Sequence, residues 1–147
     1  MTTARPRPHH REGYRAFHRI PTRWADNDMY GHVNNVVYYA AMDTAVNAWM
    51  IARGIIDPQG GEVIAVCAAS SCDYRASGSF PEVLQVGVRA GRVGTSSITW
   101  ETGILRGEEV LATGSFVHVF VDAVTRQPMP IAETARAAIE AELIVTP

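Results

Sequence analysis

Residues 23–39 read RWADNDMYGHVNNVVYY, and the fold and chemistry of this chain follow from how that stretch divides. Two acids, Asp26 and Asp28, precede a Gly31-His32 turn. Asn34 and Asn35 then open a long apolar run. Asparagines ahead of an apolar run are helix N-cap residues. A carboxylate facing a helix N-terminus sets a base or nucleophile beside backbone N–H groups that favour developing negative charge.

Working outward, residues 33–53 form the expected main helix. Its apolar positions run nearly all the way round, which predicts burial on most sides. Gly54 is a natural stop, and residues 57–61, DPQGG, have turn chemistry. Upstream, residues 14–24 read as a first strand, with Pro21 marking an edge or a bulge. Downstream, residues 62–75, 83–93, 95–106 and 110–125 are rich in Val, Ile, Thr, Phe and Trp and read as strands. Gly94-Thr95 and Arg106-Gly107-Glu108 mark tight turns. Residues 130–143 read as a short closing helix. The order is strand, buried helix, four antiparallel strands and a closing helix. A curved antiparallel sheet wrapped around one long central helix satisfies these signals, an α+β protein.

The 147 residues suffice for one domain with a sizeable core. Hydrophobic residues make up 47% and charged ones 19%, which excludes a disordered chain. A formal net charge of -2 predicts neither nucleic-acid nor membrane binding. All thirteen basic residues are Arg, so no Lys is available as a Schiff-base nucleophile or phosphate ligand. Residues 1–12 are rich in Pro, Arg and His and are expected to be a flexible N-terminal arm, with one domain over 13–147. No apolar signal segment or membrane span is expected, and a reduced, cytoplasmic setting fits. Cys67 and Cys72 lie five apart, which on one strand places them on opposite faces as buried free thiols.

The motif Arg23-Trp24-x-Asp26-x-Asp28-x-x-Gly31-His32-Val33-Asn34-Asn35-x-x-Tyr38, just ahead of a central helix, resembles acyl-CoA thioesterases of the hotdog fold in the 4-hydroxybenzoyl-CoA thioesterase-like group. The strand order over residues 14–125 agrees with it. The resemblance implies hydrolysis of acyl-CoA thioesters, Asp28 as the catalytic carboxylate and Asn35 as the residue whose backbone N–H polarises the carbonyl. It implies that Gly31 permits their close approach. Asp43 takes the place of a Glu often found further along the helix in the family. It is one methylene shorter, and it stays a second candidate base. CoA is expected to enter only as part of the substrate, with Arg89 and Arg92 near its phosphates and Tyr38 near the acyl group. No cofactor is expected. A homodimer or homotetramer with sites at the interface is implied.

Read as residues alone, several of these positions have other uses. Asp26 suits turn amides or an Arg partner, and His32 suits either a water or packing in the turn. Asp43 and Asn47 can form a polar stripe toward a partner subunit. Tyr38, Met42, Trp49 and Met50 serve equally as helix–sheet core. The five histidines are scattered, so no metal site is expected. G-x-S-x-G, G-x-G-x-x-G and Walker A patterns are missing. Besides an acyl-CoA thioesterase, a non-catalytic acyl-CoA binding or sensing protein and a hotdog dehydratase or hydratase stay open, as does an acyl carrier protein thioester as substrate.

Overall fold

The computed structural model describes residues 8–145. Its elements are β1 (Ala16–Pro21), α1 (Asn35–Ala52), β2 (Val63–Tyr74), β3 (Val83–Val93), β4 (Ser97–Arg106), β5 (Glu109–Asp122) and α2 (Glu133–Leu143), with 3-10 turns at Arg11–Gly13 and Trp24–Asp26. The five strands form one antiparallel sheet in the order β1-β3-β4-β5-β2. The sheet carries α1 on its inner face. Pro21 closes the edge strand β1, where its missing N–H leaves no ladder bond unmade.

The core lies between α1 and the sheet. Tyr38, Met42, Val46, Trp49 and Met50 are buried against Val86, Ile98, Trp100, Ile104 and Phe116. Helix α2 adds Ala135, Ile139 and Leu143 to the same cluster. Asn34 caps α1, its Oδ1 accepting the Val36 N–H at 3.0 Å. Gly54, at φ +68°, ends the helix in the left-handed conformation that glycine adopts without strain.

Burial of α1 on most sides does not hold within the protomer. Val36, Ala40, Asp43, Thr44 and Ile51 form one exposed face, and Asn47 is half-buried beside them. Its position on the helix is the one expected for a polar stripe.

The two cysteines also depart from expectation. A bulge between Cys67 and Ala69 inserts one residue and reverses the alternation. Cys67 pairs in register with the core-facing His118, and Cys72 pairs with Gly114, over which Met42 packs. Both thiols therefore share the inner face. Cys67 is exposed and Cys72 half-buried.

Residues 1–7 of the expected arm lie outside the described residues. From Arg11 onward the chain is anchored to the sheet. Arg11 donates to Gln85 Oε1 (2.7 Å) and to the Gly107 carbonyl (3.1 Å). Tyr14 lies across Gly87 and Gly103, which face each other in register. A Cβ at these two glycines would lie 2.6 Å and 2.5 Å from Tyr14 atoms, so the ring needs both to be glycine.

His118 is 2% exposed, and its Nδ1 accepts the Trp100 Nε1–H at 3.0 Å. Burial pushes its pKa below the ordinary 6.5, against a smaller opposing effect of the Asp43 charge. The unfolded chain therefore takes up this proton near pH 6.5 while the folded chain resists it. Stability is expected to fall as pH drops below 6.5 and to level off once the folded imidazole protonates. Urea unfolding at pH 8, 6.5 and 5.5 measures this slope, and His118→Gln is expected to flatten it.

Candidate active site

The loop before α1 is built by its own polar groups. Asp26 is 3% exposed. Its Oδ2 accepts the Arg23 backbone N–H (2.8 Å), and its Oδ1 accepts Arg23 Nε (3.0 Å) and Nη2 (2.8 Å). Burial alone raises its pKa, but the Arg23 side-chain bond, backbone bond and charge outweigh that and hold it below the usual carboxylate range. Its carbonyl accepts the Asn34 N–H (2.8 Å), tying the loop to the helix cap. With its carboxylate taken up by Arg23, Asp26 supports the loop.

Asn27 and Val33 form an isolated bridge that closes a small turn around Asp28. The Asp28 N–H donates to the His32 carbonyl (2.9 Å), and the Gly31 N–H returns to the Asp28 carbonyl (3.1 Å). Gly31 has φ +78°, a conformation that side chains disfavour. Asp28 is half-buried. Its Oδ1 accepts the Tyr30 N–H (2.9 Å), and among the described residues no hydrogen bond takes Oδ2. His32 is exposed on the turn.

A cavity of about 350 Å³ opens here, lined by Trp24, Asn27, Asp28, Met29 and Gly31. Trp24 meets the Phe80 ring edge-on at 6.0 Å. The cavity thus offers one carboxylate beside an aromatic and a thioether wall.

The N-terminus of α1 follows at once. Asn34 takes the Val36 N–H with its side chain and the Val37 N–H (2.9 Å) with its carbonyl. The Asn35 N–H has no acceptor among the described residues. It stands at the positive end of the helix dipole, where an anion or a polarised carbonyl oxygen is favoured. Tyr74 of β2 donates to the Asn35 carbonyl at 3.4 Å. Burial pushes the Tyr74 pKa up to about 12, so the phenol keeps its proton.

The remaining expected site residues lie apart from this cavity. Tyr38 is buried, and its hydroxyl accepts the Gly78 N–H (2.8 Å), so within the protomer it braces the core and offers no surface to an acyl group. Asp43 lies on the exposed face of α1, two turns on, and accepts from Asn47 Nδ2 (3.2 Å). Asn35 and Asp43 are separated by about 12 Å along the helix axis. Arg89 is 4% exposed. Its guanidinium pairs with Glu101, its register partner, and donates to the Gly13 carbonyl (3.3 Å). Strand alternation sets Arg89 on the outer face, where the 3-10 turn at Arg11–Gly13 covers it. Arg92 is exposed near the end of β3, at an irregularity in the ladder to β4.

Sequence reasoning missed the 77–82 loop. Asn27 Nδ2 donates to Ser79 Oγ (3.1 Å), and Asn27 Oδ1 accepts the Phe80 N–H (3.0 Å). Ser79 Oγ donates to the Gly31 carbonyl (2.8 Å). The composition SGSFP marks residues 77–81 as a turn, but nothing in the linear pattern links Ser79 to Asn27, 52 positions away.

A curved five-stranded antiparallel sheet around one long helix defines a hotdog-fold protein. Residues 22–139 match the model of the thioesterase-like superfamily, and the chain belongs to that family. Among solved structures it is similar to the PA5185 protein of Pseudomonas aeruginosa, at 48% identity and TM-score 0.87, covering 91% of this chain and 95% of that one. It is similar at 30% identity and TM-score 0.75 to a Thermus thermophilus thioesterase complexed with coenzyme A and Zn, covering 88% and 95%. A 1,4-dihydroxy-2-naphthoyl-CoA thioesterase of Synechocystis shares the fold at 18% identity and TM-score 0.74, covering 84% and 93%. The uncharacterized Bacillus subtilis protein YsmA is 26% identical over 83 residues, and the chain spans only 56% of its length.

No helix among the described residues is long and apolar enough to cross a membrane.

Proposed function

We propose that this protein hydrolyses acyl-CoA thioesters to the free acid and CoA. The observation that carries the reading is the Asp28 carboxylate, with one oxygen held by Tyr30, on the turn that leads into α1, whose Asn35 N–H has no acceptor among the described residues. The thioester carbonyl oxygen accepts the Asn35 N–H, and charge developing on it falls where the helix dipole is positive. Asp28 either takes the proton of an attacking water or attacks the carbonyl itself, giving a mixed anhydride that water then opens. The C–S bond breaks and CoA leaves as a thiolate. Thiol pKa values lie near about 8.5, so departure needs no dedicated general acid.

Trp24 and Met29 line the cavity beside Asp28 and suit an apolar acyl group. The coenzyme A complex of the Thermus thermophilus relative supports CoA as the carrier. The test is thiol release from a panel of aliphatic and aromatic acyl-CoAs. Ligand-induced thermal stabilisation without thiol release would instead favour a binding or sensing protein.

We further propose a homodimer formed through β2. This strand lies at the sheet edge and, among the described residues, pairs only with β5. From Val63 to Cys72 it has no charge and no Pro, the devices that normally blunt an edge. The exposed face of α1 gives a second copy more to cover. Light scattering is expected to return twice the chain mass or a multiple of it; a monomer at micromolar concentration contradicts this assembly.

A further inference from the structure

We propose that Ser79 is a positioning residue for the Asp28 turn, an inference that rests on the thioesterase reading above. The turn has little packing of its own. Met29 is 101% exposed and Tyr30 86%, so its tip touches almost nothing. Backbone bonds close the turn on itself, and one side-chain hydroxyl ties both its ends, Asn27 and Gly31, to the 77–82 loop. Ser79 Oγ accepts from Asn27 Nδ2 (3.1 Å) and donates its proton to the Gly31 carbonyl (2.8 Å). The alternative acceptor for that proton, the Phe80 carbonyl, is further away at 3.4 Å.

Ser79 is itself held on both sides. Its N–H donates to Glu82 Oε2 (2.6 Å), and Glu82 Oε1 pairs with Arg106 (2.8 Å). The preceding Gly78 donates its N–H to the Tyr38 hydroxyl (2.8 Å) and accepts the Val33 N–H (2.8 Å). The staple thus connects the exposed Asp28 turn to the core through Tyr38 and to the β4–β5 hairpin through Arg106. Asn27 completes it by accepting the Phe80 N–H (3.0 Å). Ser79 touches neither the reacting carboxylate nor the cavity; it acts through the turn.

Ser79→Ala removes both bonds of the hydroxyl. Displacing a reacting group by about 1 Å costs about 10²-fold in rate. Ser79→Ala is therefore expected to lower kcat by roughly 10- to 100-fold and leave KM nearly unchanged. Ser79→Thr, which restores the hydroxyl, is expected to recover most of the rate. Because Asn27 and Ser79 act through one staple, the Asn27→Ala and Ser79→Ala losses are expected not to add in the double variant. Ser79→Cys keeps the volume and weakens both bonds, and it serves as the second variant if Ser79→Ala melts early.

The assay is thiol release on the full chain, with thermal melts alongside and Asp28→Asn as the reference. A folded Ser79→Ala or Ser79→Cys with wild-type kcat overturns the proposal. A loss that Thr does not recover and that tracks the melting temperature also overturns it. Failure of the thioesterase reading is distinct, because the wild-type chain would then release no thiol at all.

Discussion

Asp28→Ala is expected to lower kcat for thioester hydrolysis by about 10²–10⁴-fold, the range for loss of a positioned acid–base group. Asp28 carries this effect alone because the neighbouring acid is committed elsewhere. Asp26 is buried with Arg23 on both carboxylate oxygens. Asp43 stands about 12 Å further along the helix than Asn35. Asp28→Asn separates chemistry from architecture: its side-chain carbonyl can still accept the Tyr30 N–H that Oδ1 accepts now, but it cannot take a proton. Both variants are expected to be slow and to bind CoA products as before; Asp28→Asn is expected to keep the wild-type melting temperature, and Asp28→Ala to melt slightly earlier for want of the Tyr30 bond. Steady-state thiol release and thermal melts check each part.

The largest effect on stability is expected at Trp100. Its side chain is fully buried in β4, meets the Trp49 ring edge-on at 5.9 Å and donates to His118. Trp100→Ala removes a large aromatic from the centre of the sheet and is expected to cost about 3–5 kcal/mol. It also leaves His118 Nδ1 without its donor, so cavity and lost bond combine in one number. Trp100→Phe keeps most of the volume and isolates the hydrogen bond, at about 1–3 kcal/mol. Urea unfolding is expected to show a lower midpoint with unchanged slope in both. Trp100 does not line the Asp28 cavity, so folded Trp100→Phe is expected to retain wild-type kcat.

Much of the fold is legible along the chain because its signals are local. β3 begins and ends at the expected Val83 and Val93, where a Val-rich run is bounded by Pro81 and Gly94. α1 begins two residues after the expected start, since Asn34 is its cap. The Asp28 turn and the Asn35 N–H are readable for the same reason, as neighbours in sequence. What was not legible depends on distant pairings. The bulge between Cys67 and Ala69 carries no Gly or Pro to announce it, yet it reverses the face of every residue beyond it. Arg89 looks like a solvated strand residue until Glu101 is paired across from it and the N-terminal turn is laid over both. The exposed face of α1 and the edge position of β2 become visible only in the folded chain. Ser79 could be read as a turn residue, but its link to Asn27 and Gly31 exists only in the folded chain.

Thiol release from acyl-CoA by the wild-type chain and by Asp28→Asn, measured side by side, tests the central claim most directly. The expected result is turnover by the wild type and a loss of about 10²–10⁴-fold in the variant, with both folded. Equal turnover by the two proteins would contradict the assignment of Asp28, and binding of acyl-CoA by the wild type without any thiol release would contradict hydrolysis itself.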